Sequence, residues 1–345
     1  MNFSPITTEE WAEPCLTPDV IVENYLYADV GLLVAPGGVG KTTLVLYEAI
    51  HVALGLPLYG RAVRRPGPVV IVSAEDSREQ LIARAHALAD GMRLTSKQCK
   101  QVHGNLVIVY VDSHNFKLCM NDGTRITIPP DVDNVIEKVA PLKPSLMVFD
   151  PVVSFGAGES LINDAEHGLI LAARRIRDAL NCCVRLVHHT GKGNARKGSM
   201  DQYSGRGGSA LADGARMVAT LRQMEPGEWQ KKTGKELSDN AVGLQMALPK
   251  MSYTSAQGAI YIKREGFLFD HISGPEKDDR KLITFLKANA EKGVFFSLST
   301  LEQARANIGL SRDDLRCAIA RLKKAGTIQN CNKLHSGPSN KLHLA

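Results

Sequence analysis

The sequence predicts an α/β fold in which a mainly parallel β-sheet is flanked by helices and followed by a small C-terminal domain. Three observations support this prediction. Short apolar runs alternate with segments of helical spacing, a glycine-rich turn joins one apolar run to a helix, and the last fifth of the chain has a pattern of its own. The apolar runs are continuous rather than alternating, which is typical of strands covered on both faces, as in a parallel sheet.

The composition narrows the class of protein. The chain has 345 residues, of which 44% are hydrophobic and 23% charged. These values are close to globular averages and exclude a disordered, collagen-like or low-complexity chain. The longest apolar runs are much shorter than the ~20 residues of a membrane-spanning helix, and no secretory signal is apparent. Seven cysteines without C-x-x-C spacing disfavour a disulfide framework or a zinc site, so we expect a cytoplasmic protein without a membrane partner.

The net charge of +6 is unevenly distributed. Residues 277–345 hold 13 Lys and Arg against six Asp and Glu, whereas residues 1–276 hold 29 against 30. This asymmetry indicates either a C-terminal module that contacts a polyanion or a solvated basic surface. The predicted divisions are an N-terminal arm (1–20), a larger domain (21–272), a linker (273–279) and a C-terminal domain (280–345).

The larger domain is predicted to begin with a buried strand, VGLLVA (30–35), a glycine-rich turn and a helix at 41–54. Further strands are predicted at 69–74, 105–111, 145–150, 183–189, 216–222, 242–249 and 258–264, and in FLFDHI. Further helices are predicted at about 77–89, 131–140 and 164–180. Residues 190–208 are rich in Gly, Lys, Arg and Ser and are predicted to form a long mobile loop.

The strongest motif is APGGVGKT (35–42), which follows a buried strand and opens a helix, as a phosphate-binding P-loop does. Backbone N–H groups of such a turn cradle phosphates, Lys41 would contact the β- and γ-phosphates, and the Thr42 hydroxyl would ligate Mg²⁺. The motif usually begins with glycine, whereas this chain has Ala35. The residues predicted to hold the nucleotide in this turn are Gly37, Gly38, Gly40, Lys41, Thr42 and Thr43.

Two acidic residues at strand ends fit the chemistry of a P-loop enzyme. Asp150 ends the apolar run LMVFD, where such an enzyme places the acid that organises Mg²⁺. Glu75 follows another strand and lies where it could act as a general base, with solvation at the surface as the alternative. Its neighbour Asp76 could instead cap the next helix.

His188 and His189 end a further apolar strand. Because side chains alternate along a strand, only one of them is expected to face the site, where it could sense a γ-phosphate through a hydrogen bond. The sequence leaves open which histidine this is, and a buried histidine satisfied within the core is the alternative.

The pattern resembles the RecA-like ATPases, and among them especially the RepA family of hexameric replicative helicases of broad-host-range plasmids. The resemblance covers roughly residues 20–272. It rests on APGGVGKT (35–42), SAED (73–76), LIARAHAL (81–88), LMVFDP (146–151), HHTGKG (188–193) and GRGGSALADGARMV (205–218). It implies a RecA-like P-loop fold and a homo-oligomeric ring, expected to be a hexamer, that hydrolyses ATP with Mg²⁺ on single-stranded DNA.

The resemblance also implies roles for individual residues. It makes Glu75 the catalytic carboxylate and Arg216 an arginine finger that reaches the nucleotide of a neighbouring subunit. Arg84 matches a family arginine near that interface, and Lys250 is similar to a phosphate-contacting lysine of related ring helicases. The stretch 190–208 lies where RecA-like proteins place a DNA-binding loop, with a solvated loop as the alternative. Its cations are Lys192, Arg196, Lys197 and Arg206.

The C-terminal domain is predicted to contain three helices, at 278–290, 299–309 and 312–325, and two short strands around a Ser-Gly-Pro turn. A capping box is expected from Ser299 to Glu302, and Ser311 is expected to cap the third helix. Three helices and a hairpin of this size resemble a winged helix-turn-helix domain.

Basic side chains on the third helix lie off its apolar stripe, where a recognition helix faces a DNA groove. These cations are Arg312, Arg316, Lys323 and Lys324. The hairpin adds Lys333, His335 and Lys341, which could contact backbone phosphates. Because winged helices also dock proteins, both duplex DNA and a protein partner stay open.

The sequence therefore predicts an ATPase, and most specifically an ATP-dependent DNA helicase that serves the replication of a plasmid, phage or mobile element. The alternative is a nucleotide-switched DNA-binding regulator or a helicase loader without unwinding activity. A small-molecule kinase is disfavoured, because it needs neither an interface arginine, nor a basic loop, nor a winged helix.

Overall fold

The protein is described from a computed structural model, which covers residues 4–112, 116–121, 125–156, 162–272, 277–331 and 341–344. The chain forms two compact units. The first comprises Met1–Lys231 and Lys235–Ile272, and the second comprises Lys232–Gly234 and Ser273–Ala345. A helix begins at Lys277, inside the segment predicted as a linker.

Strands and helices alternate along the first part of the chain. The strands described up to residue 272 are β1 (Val20–Val22), β2 (Leu26–Tyr27), β3 (Val30–Ala35), β4 (Val69–Ser73), β5 (Leu106–Tyr110), β6 (Met120–Asn121), β7 (Ile126–Thr127), β8 (Leu146–Asp150), β9 (Cys183–His189), β10 (Met217–Met224), β11 (Ala241–Met251), β12 (Ile260–Glu265) and β13 (Leu268–Ile272). The helices are α1 (Thr8–Ala12), α2 (Lys41–Leu54), α3 (Arg78–Gly91), α4 (Ser96–Asn105), α5 (Asp131–Val139), α6 (Ile162–Leu180), α7 (Lys192–Lys197), α8 (Ala210–Gly214) and α9 (Pro226–Thr233), with 3₁₀ turns at Ala140–Leu142 and Val152–Phe155. The sequence pattern misses α4 and α9 because both are polar and carry little apolar periodicity.

Within the described residues, a nine-stranded sheet has the order β13-β12-β11-β10-β3-β9-β8-β4-β5. The strands from β10 to β5 are parallel, whereas β11, β12 and β13 extend the sheet as antiparallel strands. The predicted mainly parallel sheet is confirmed. Because parallel strands end at the same side, the turns after β3, β4, β8 and β9 all lie at one edge, here called the carboxyl edge. The opposite side, where these strands begin, is called the amino edge.

Side chains of the central strand alternate between two apolar cores. Leu33 and Ala35 belong to the core that α2, α3 and α4 cover, while Val30, Leu32 and Val34 belong to the core that α6 covers. Burying an aliphatic side chain contributes ~1.5–3 kcal/mol. The two cores therefore hold the sheet between its helices and fix the positions at which its strands end.

The structure also bears on two expectations from composition. No helix of the described ranges is long and apolar enough to cross a membrane. Cys182 and Cys183 are fully buried, and burial raises the pKa of the Cys182 thiol to about 12. Both cysteines therefore behave as small hydrophobic residues rather than as reactive thiols.

The second unit combines short helices with a small antiparallel sheet of order β14-β16-β15. Its elements are α10 (Lys277–Ala290), β14 (Phe296–Ser297), α11 (Leu298–Gln303), α12 (Arg305–Ile308), α13 (Arg312–Lys324), β15 (Ile328–Cys331) and β16 (Lys341–Leu344). Leu282, Leu315, Leu322 and Leu342 contribute to its own apolar core. The single helix predicted at 299–309 is divided into α11 and α12, which meet at Ala304.

The helix caps of the second unit correct one prediction. The capping box predicted from Ser299 to Glu302 is wrong, because Ser297 caps α11 by accepting the N–H of Thr300 at 3.3 Å. Ser311 caps α13 as predicted, with its hydroxyl oxygen 3.1 Å from the N–H of Asp314. The predicted Lys333 and His335 lie outside the described residues.

Candidate nucleotide-binding site

The P-loop joins β3 to α2 at the carboxyl edge of the sheet. Gly38 and Gly40 have φ values of 77° and 90°, in the left-handed region that favours glycine. Ala35 is the last residue of β3 and is fully buried within the sheet, so the motif needs no glycine there. Gly37 is exposed in the turn, and Thr43 is buried in the first turn of α2. The amide groups at the start of α2 provide a typical anion-binding helix end.

Lys41 and Thr42 connect the P-loop to the strands beside it. The Lys41 ammonium donates to the Pro36 carbonyl at 3.0 Å and lies 3.3 Å from Nδ1 of His189. The Thr42 hydroxyl donates to Oδ2 of Asp150 at 2.7 Å. The structure therefore places the hydroxyl and the carboxylate that would share a magnesium ion within one hydrogen bond of each other, although 108 residues separate them in sequence.

Burial shifts the pKa values of Asp150 and Lys41. Asp150 is 3% exposed, and burial raises its pKa to about 6, while the hydrogen bond from Thr42 and the nearby Lys41 charge act in the opposite direction. Burial also lowers the pKa of Lys41, against the attraction of Asp150 and Glu75. A divalent cation or a phosphate at this place would offset the burial of both groups.

The two histidines point to opposite faces of the sheet. His189 lies between Lys41 and Glu75, with its Nε2 atom 3.8 Å from a Glu75 oxygen. His188 is buried, and its Nε2 atom lies 2.5 Å from the Arg206 carbonyl oxygen. A carbonyl only accepts, so Nε2 of His188 carries the proton, and Nδ1 of His189 accepts from Lys41. Burial lowers the pKa of each imidazole, and both are therefore neutral at pH 7.

Glu75 lies beside the P-loop, and its side chain is 58% exposed. The following residue, Asp76, accepts two hydrogen bonds from Arg84, at 2.6 and 2.9 Å. The suggestion that Asp76 caps α3 is wrong, because the side chain of Ser77 caps this helix by accepting the backbone N–H of Gln80. Within the chain, Arg84 thus fixes the turn that presents Glu75.

Arg216 and Lys250 lie at the amino edge, away from the P-loop of their own chain. The Arg216 amide donates to the carbonyl of Val30, the first residue of β3, at 2.9 Å, and the Arg216 side chain is exposed. The five residue steps of β3 separate this edge from the P-loop by about 17 Å. Lys250 donates to the carbonyls of Ala212 and Asp213 at 2.8 and 2.9 Å. The structure therefore does not bring these two predicted residues to the P-loop of the same chain.

Comparisons with known proteins agree with the fold described above. A family model described as an AAA domain matches residues 5–195. The chain belongs to the AAA domain family. Among solved structures, it is similar to the "ATPase Domain of G40P", with a TM-score of 0.50 and 13% identity, over 72% of this chain and 86% of that chain. At this identity the similarity concerns the fold, and it confirms the predicted RecA-like P-loop architecture. Family and fold together support an ATPase that binds its nucleotide at the P-loop.

The basic loop, residues 190–208, has more regular structure than the sequence predicts. It contains the short helix α7, and Thr190 pairs with Gly205 at its base. The Arg206 amide closes the base by donating to the His189 carbonyl at 2.8 Å. The predicted cations of the loop, Lys192, Arg196, Lys197 and Arg206, are all exposed. The loop therefore presents its charge to solvent while its ends are joined to the histidine strand.

A buried glutamate that the sequence analysis misses anchors the other end of this loop. Glu166 of α6 accepts the N–H groups of Gly208 at 2.7 Å and Leu211 at 3.3 Å, at the start of α8. Burial raises its pKa, and these hydrogen bonds act in the opposite direction. No short-range pattern could have revealed Glu166, because its partners lie more than 40 residues away.

A cavity of about 220 Å³ lies between the turn after Asp150, helix α6 and the base of the basic loop. Its lining includes Val152, Glu166, Leu169, His188, His189 and Arg206. The cavity therefore adjoins both histidines and the base of the basic loop.

In the second unit, two of the predicted DNA-contacting cations are paired with an acidic residue. Arg312 and Arg316 both bind the carboxylate of Glu302, at 2.9 and 2.6 Å. Lys323 is exposed, whereas the side chain of Lys324 lies outside the described atoms. The basic face of α13 is therefore partly neutralised by a residue of α11.

Proposed function

We propose that the chain is an ATP-dependent DNA helicase of the RepA type, which forms a hexameric ring on single-stranded DNA and hydrolyses ATP between subunits. Its setting is the cytoplasmic replication of a plasmid, phage or mobile element. Its cofactors are ATP and Mg²⁺, bound by the P-loop, Lys41, Thr42 and Asp150.

The position of Arg216 carries this proposal. An arginine that stabilises the transferred phosphoryl group must lie within a few ångströms of it. Arg216 lies at the other end of the sheet from its own P-loop, with its backbone bonded to Val30. An arginine finger at this place serves a neighbouring copy, and a head-to-tail contact of this kind that closes on itself forms a ring. Lys250, at the same edge, would reach the same neighbouring nucleotide.

Each residue near the P-loop has a step in this proposal. Magnesium supplies charge neutralisation at the β- and γ-phosphates when it is bound. Glu75 is exposed, next to the phosphate cradle, and would take the proton of the attacking water. His189, neutral and in contact with Lys41, would report the presence of the γ-phosphate to its strand. Arg84 would keep Glu75 in place through Asp76.

The exposed basic loop is the proposed contact with single-stranded DNA. An exposed cationic loop contacts a nucleic-acid backbone without reading its sequence. The side chains that would contact successive phosphates are Lys192, Arg196, Lys197 and Arg206. The loop base is bonded to the histidine strand through Arg206, so a shift at the γ-phosphate could reach the DNA contact. The second unit, as a winged helix, would recruit the ring to duplex DNA or to a protein partner.

Hydrolysis measured with and without single-stranded DNA tests this function, together with strand displacement on a forked duplex. We expect stimulation by single-stranded DNA and ATP-dependent displacement. Native mass spectrometry with ATP and DNA should show a closed ring. If DNA neither stimulates hydrolysis nor is unwound, the chain is no motor, and sequence-specific duplex binding that survives Arg216→Ala would then identify a nucleotide-switched regulator or loader.

A further inference from the structure

Arg264, on the last hairpin of the first unit, lies against the outside of the P-loop. Its Nη1 group donates to the Val39 carbonyl at 3.2 Å, and its Nε group donates to the Gly266 carbonyl at 3.0 Å. The guanidinium also lies 6.0 Å from the ring centre of Phe269, at cation–π distance. Three contacts thus hold one arginine of β12 beside a turn that lies 225 residues earlier in the chain.

The P-loop is shaped to admit this guanidinium. A Cβ atom added to Gly40 would collide with Nη1 of Arg264. Gly40 has a left-handed φ of 90°, which favours glycine, and a Cβ atom at this position would also push the guanidinium aside. Gly37 and Gly38 have no such neighbour, since a Cβ added to either would meet nothing within 4 Å.

The peptide group that Arg264 contacts is part of the phosphate cradle. The Val39 carbonyl and the Gly40 amide belong to the same planar unit, whose two ends polarise each other. A cation at the carbonyl oxygen draws electrons away from the amide, and this strengthens the N–H group as a donor to a phosphate. The same contact keeps the carbonyl turned away from the anion.

We infer that Arg264 is a positioning residue for nucleotide binding, which orients and polarises the Val39–Gly40 peptide from behind without touching the nucleotide. This inference rests on the proposed ATP binding at the P-loop and adds a residue that the sequence motif does not contain. The peptide lies where it would contact a phosphate shared by ADP and ATP. Loss of Arg264 should therefore weaken the binding of ADP and of ATP by the same factor. It should change kcat, measured at saturating ATP, much less.

The experiment uses the full chain with Arg264→Ala and Arg264→Lys, and Lys263→Ala as the matched control. Lys263 is the next residue on the same strand, and it pairs with Glu265 and Asp270 instead of the P-loop. Dissociation constants for a fluorescent ADP and a non-hydrolysable fluorescent ATP analogue are measured with Mg²⁺, alongside KM and kcat for ATP. The rise in melting temperature on adding ADP is recorded for each variant, since it reports binding separately from the stability of the apo protein.

We expect Arg264→Ala to weaken ADP and the ATP analogue by a similar factor, about tenfold, as for loss of a charge-assisted hydrogen bond. The kcat of Arg264→Ala should stay within about threefold of that of the original chain. Arg264→Lys should recover part of the nucleotide affinity, because it restores the charge but not the two contacts of the guanidinium. Lys263→Ala should bind as the original chain does.

Unchanged dissociation constants in Arg264→Ala, even with a lower melting temperature of the apo protein, would overturn the inference and leave Arg264 as a packing residue. A loss confined to kcat would overturn it as well, by placing Arg264 in the chemical step. If the unaltered chain binds neither ADP nor the ATP analogue, the proposed ATPase function itself is wrong. Nucleotide binding by the unaltered chain is therefore measured first, before any variant is compared with it.

Discussion

The two edges of the central sheet carry opposite kinds of chemistry. At the carboxyl edge, the P-loop, Asp150, Glu75 and His189 form a set in which each side chain contacts or faces another. At the amino edge, Arg216 and Lys250 lie together as cations, and the pKa of Lys250 is lowered by burial and by the neighbouring arginines. The first edge offers a cradle for a phosphate chain and its metal, whereas the second offers positive charge without a cradle.

Under the proposed function, this difference means that one copy holds both halves of a catalytic site but keeps them apart. The sheet keeps Arg216 away from its own P-loop, because Arg216 directly precedes β10, whereas the P-loop follows β3, and these two strands are parallel neighbours. In the proposed ring, a second copy brings the halves together by placing its amino edge against the carboxyl edge of the first. The predictions below either break this arrangement or measure one of its parts.

The largest effect is expected from separating the two halves by mutation. Arg216→Ala should bind ATP normally but lose hydrolysis by about 10³-fold, as expected for loss of an arginine finger. Lys41→Ala should lose hydrolysis because phosphate binding fails. An equimolar mixture of the two variants should regain part of the activity, since some interfaces combine an intact Lys41 with an intact Arg216. Steady-state hydrolysis of each variant and of the mixture measures this.

Arg175→Ala is the control for the amino-edge variant, because Arg175 is a partly exposed arginine that pairs with Asp133. It should keep full activity. A mixture that stays as inactive as its components, at concentrations where native mass spectrometry shows mixed rings, would refute the shared site.

The next largest effect is the pH dependence of nucleotide binding at the carboxyl edge. Asp150 must be ionised to hold Mg²⁺, and burial raises its pKa to about 6. Mg²⁺-dependent nucleotide affinity should therefore fall by up to about tenfold per pH unit below pH 6. Titrations of Mg²⁺ against bound fluorescent nucleotide, from pH 5 to pH 8, give the midpoint. A midpoint near the ordinary aspartate pKa would contradict the buried environment seen here.

The carboxyl group of Asp150 has the opposite effect on the stability of the protein without nucleotide, which should fall as the pH rises. A carboxyl group with a raised pKa stabilises the fold while it is protonated, and this contribution is lost as the pH rises from about 4 through 6. Asp150→Asn should therefore gain stability over the original chain between pH 5 and pH 7, by at most on the order of 3 kcal/mol. Urea unfolding of both chains without nucleotide, at pH 5 and pH 7, measures this difference.

A smaller effect should distinguish the two histidines on either face of β9. His189→Ala removes the contact to Lys41 and should lower kcat by about 10- to 100-fold with little change in nucleotide affinity. His188→Ala removes the hydrogen bond to the Arg206 carbonyl and should act mainly on stimulation by single-stranded DNA. Hydrolysis rates with and without DNA compare the two variants. Equal losses in both would contradict the assignment of one histidine to each face.

The smallest effect belongs to the second unit. Glu302→Gln should release Arg312 and Arg316 and raise affinity for duplex DNA about three- to tenfold, with a steeper dependence on salt. Glu291→Gln, at an exposed glutamate of the same unit, serves as the control. Fluorescence anisotropy at several salt concentrations measures both. An unchanged affinity in Glu302→Gln would favour a protein partner for this unit.

Local patterns predicted the features of the fold and the site that depend on neighbouring residues. The P-loop, the strand that ends at Asp150 and the helix cap at Ser311 follow from short-range rules of spacing, burial and capping. The same rules failed at Ser299, because Ser297 lies two residues earlier and competes for the same helix start. They also failed for residues 190–208, where the glycine content hid a short helix.

The sequence by itself determined the fold class, the phosphate-binding turn and the set of polar residues at strand ends, because each depends on the order of residues along one strand or helix. Only the tertiary structure decided that His189 rather than His188 meets Lys41, that Glu166 anchors α8, and that Arg264 lies behind Gly40. These contacts join residues that are 42 to 225 positions apart in sequence. Strand register and sheet order bring such segments together, and neither is encoded in any local pattern.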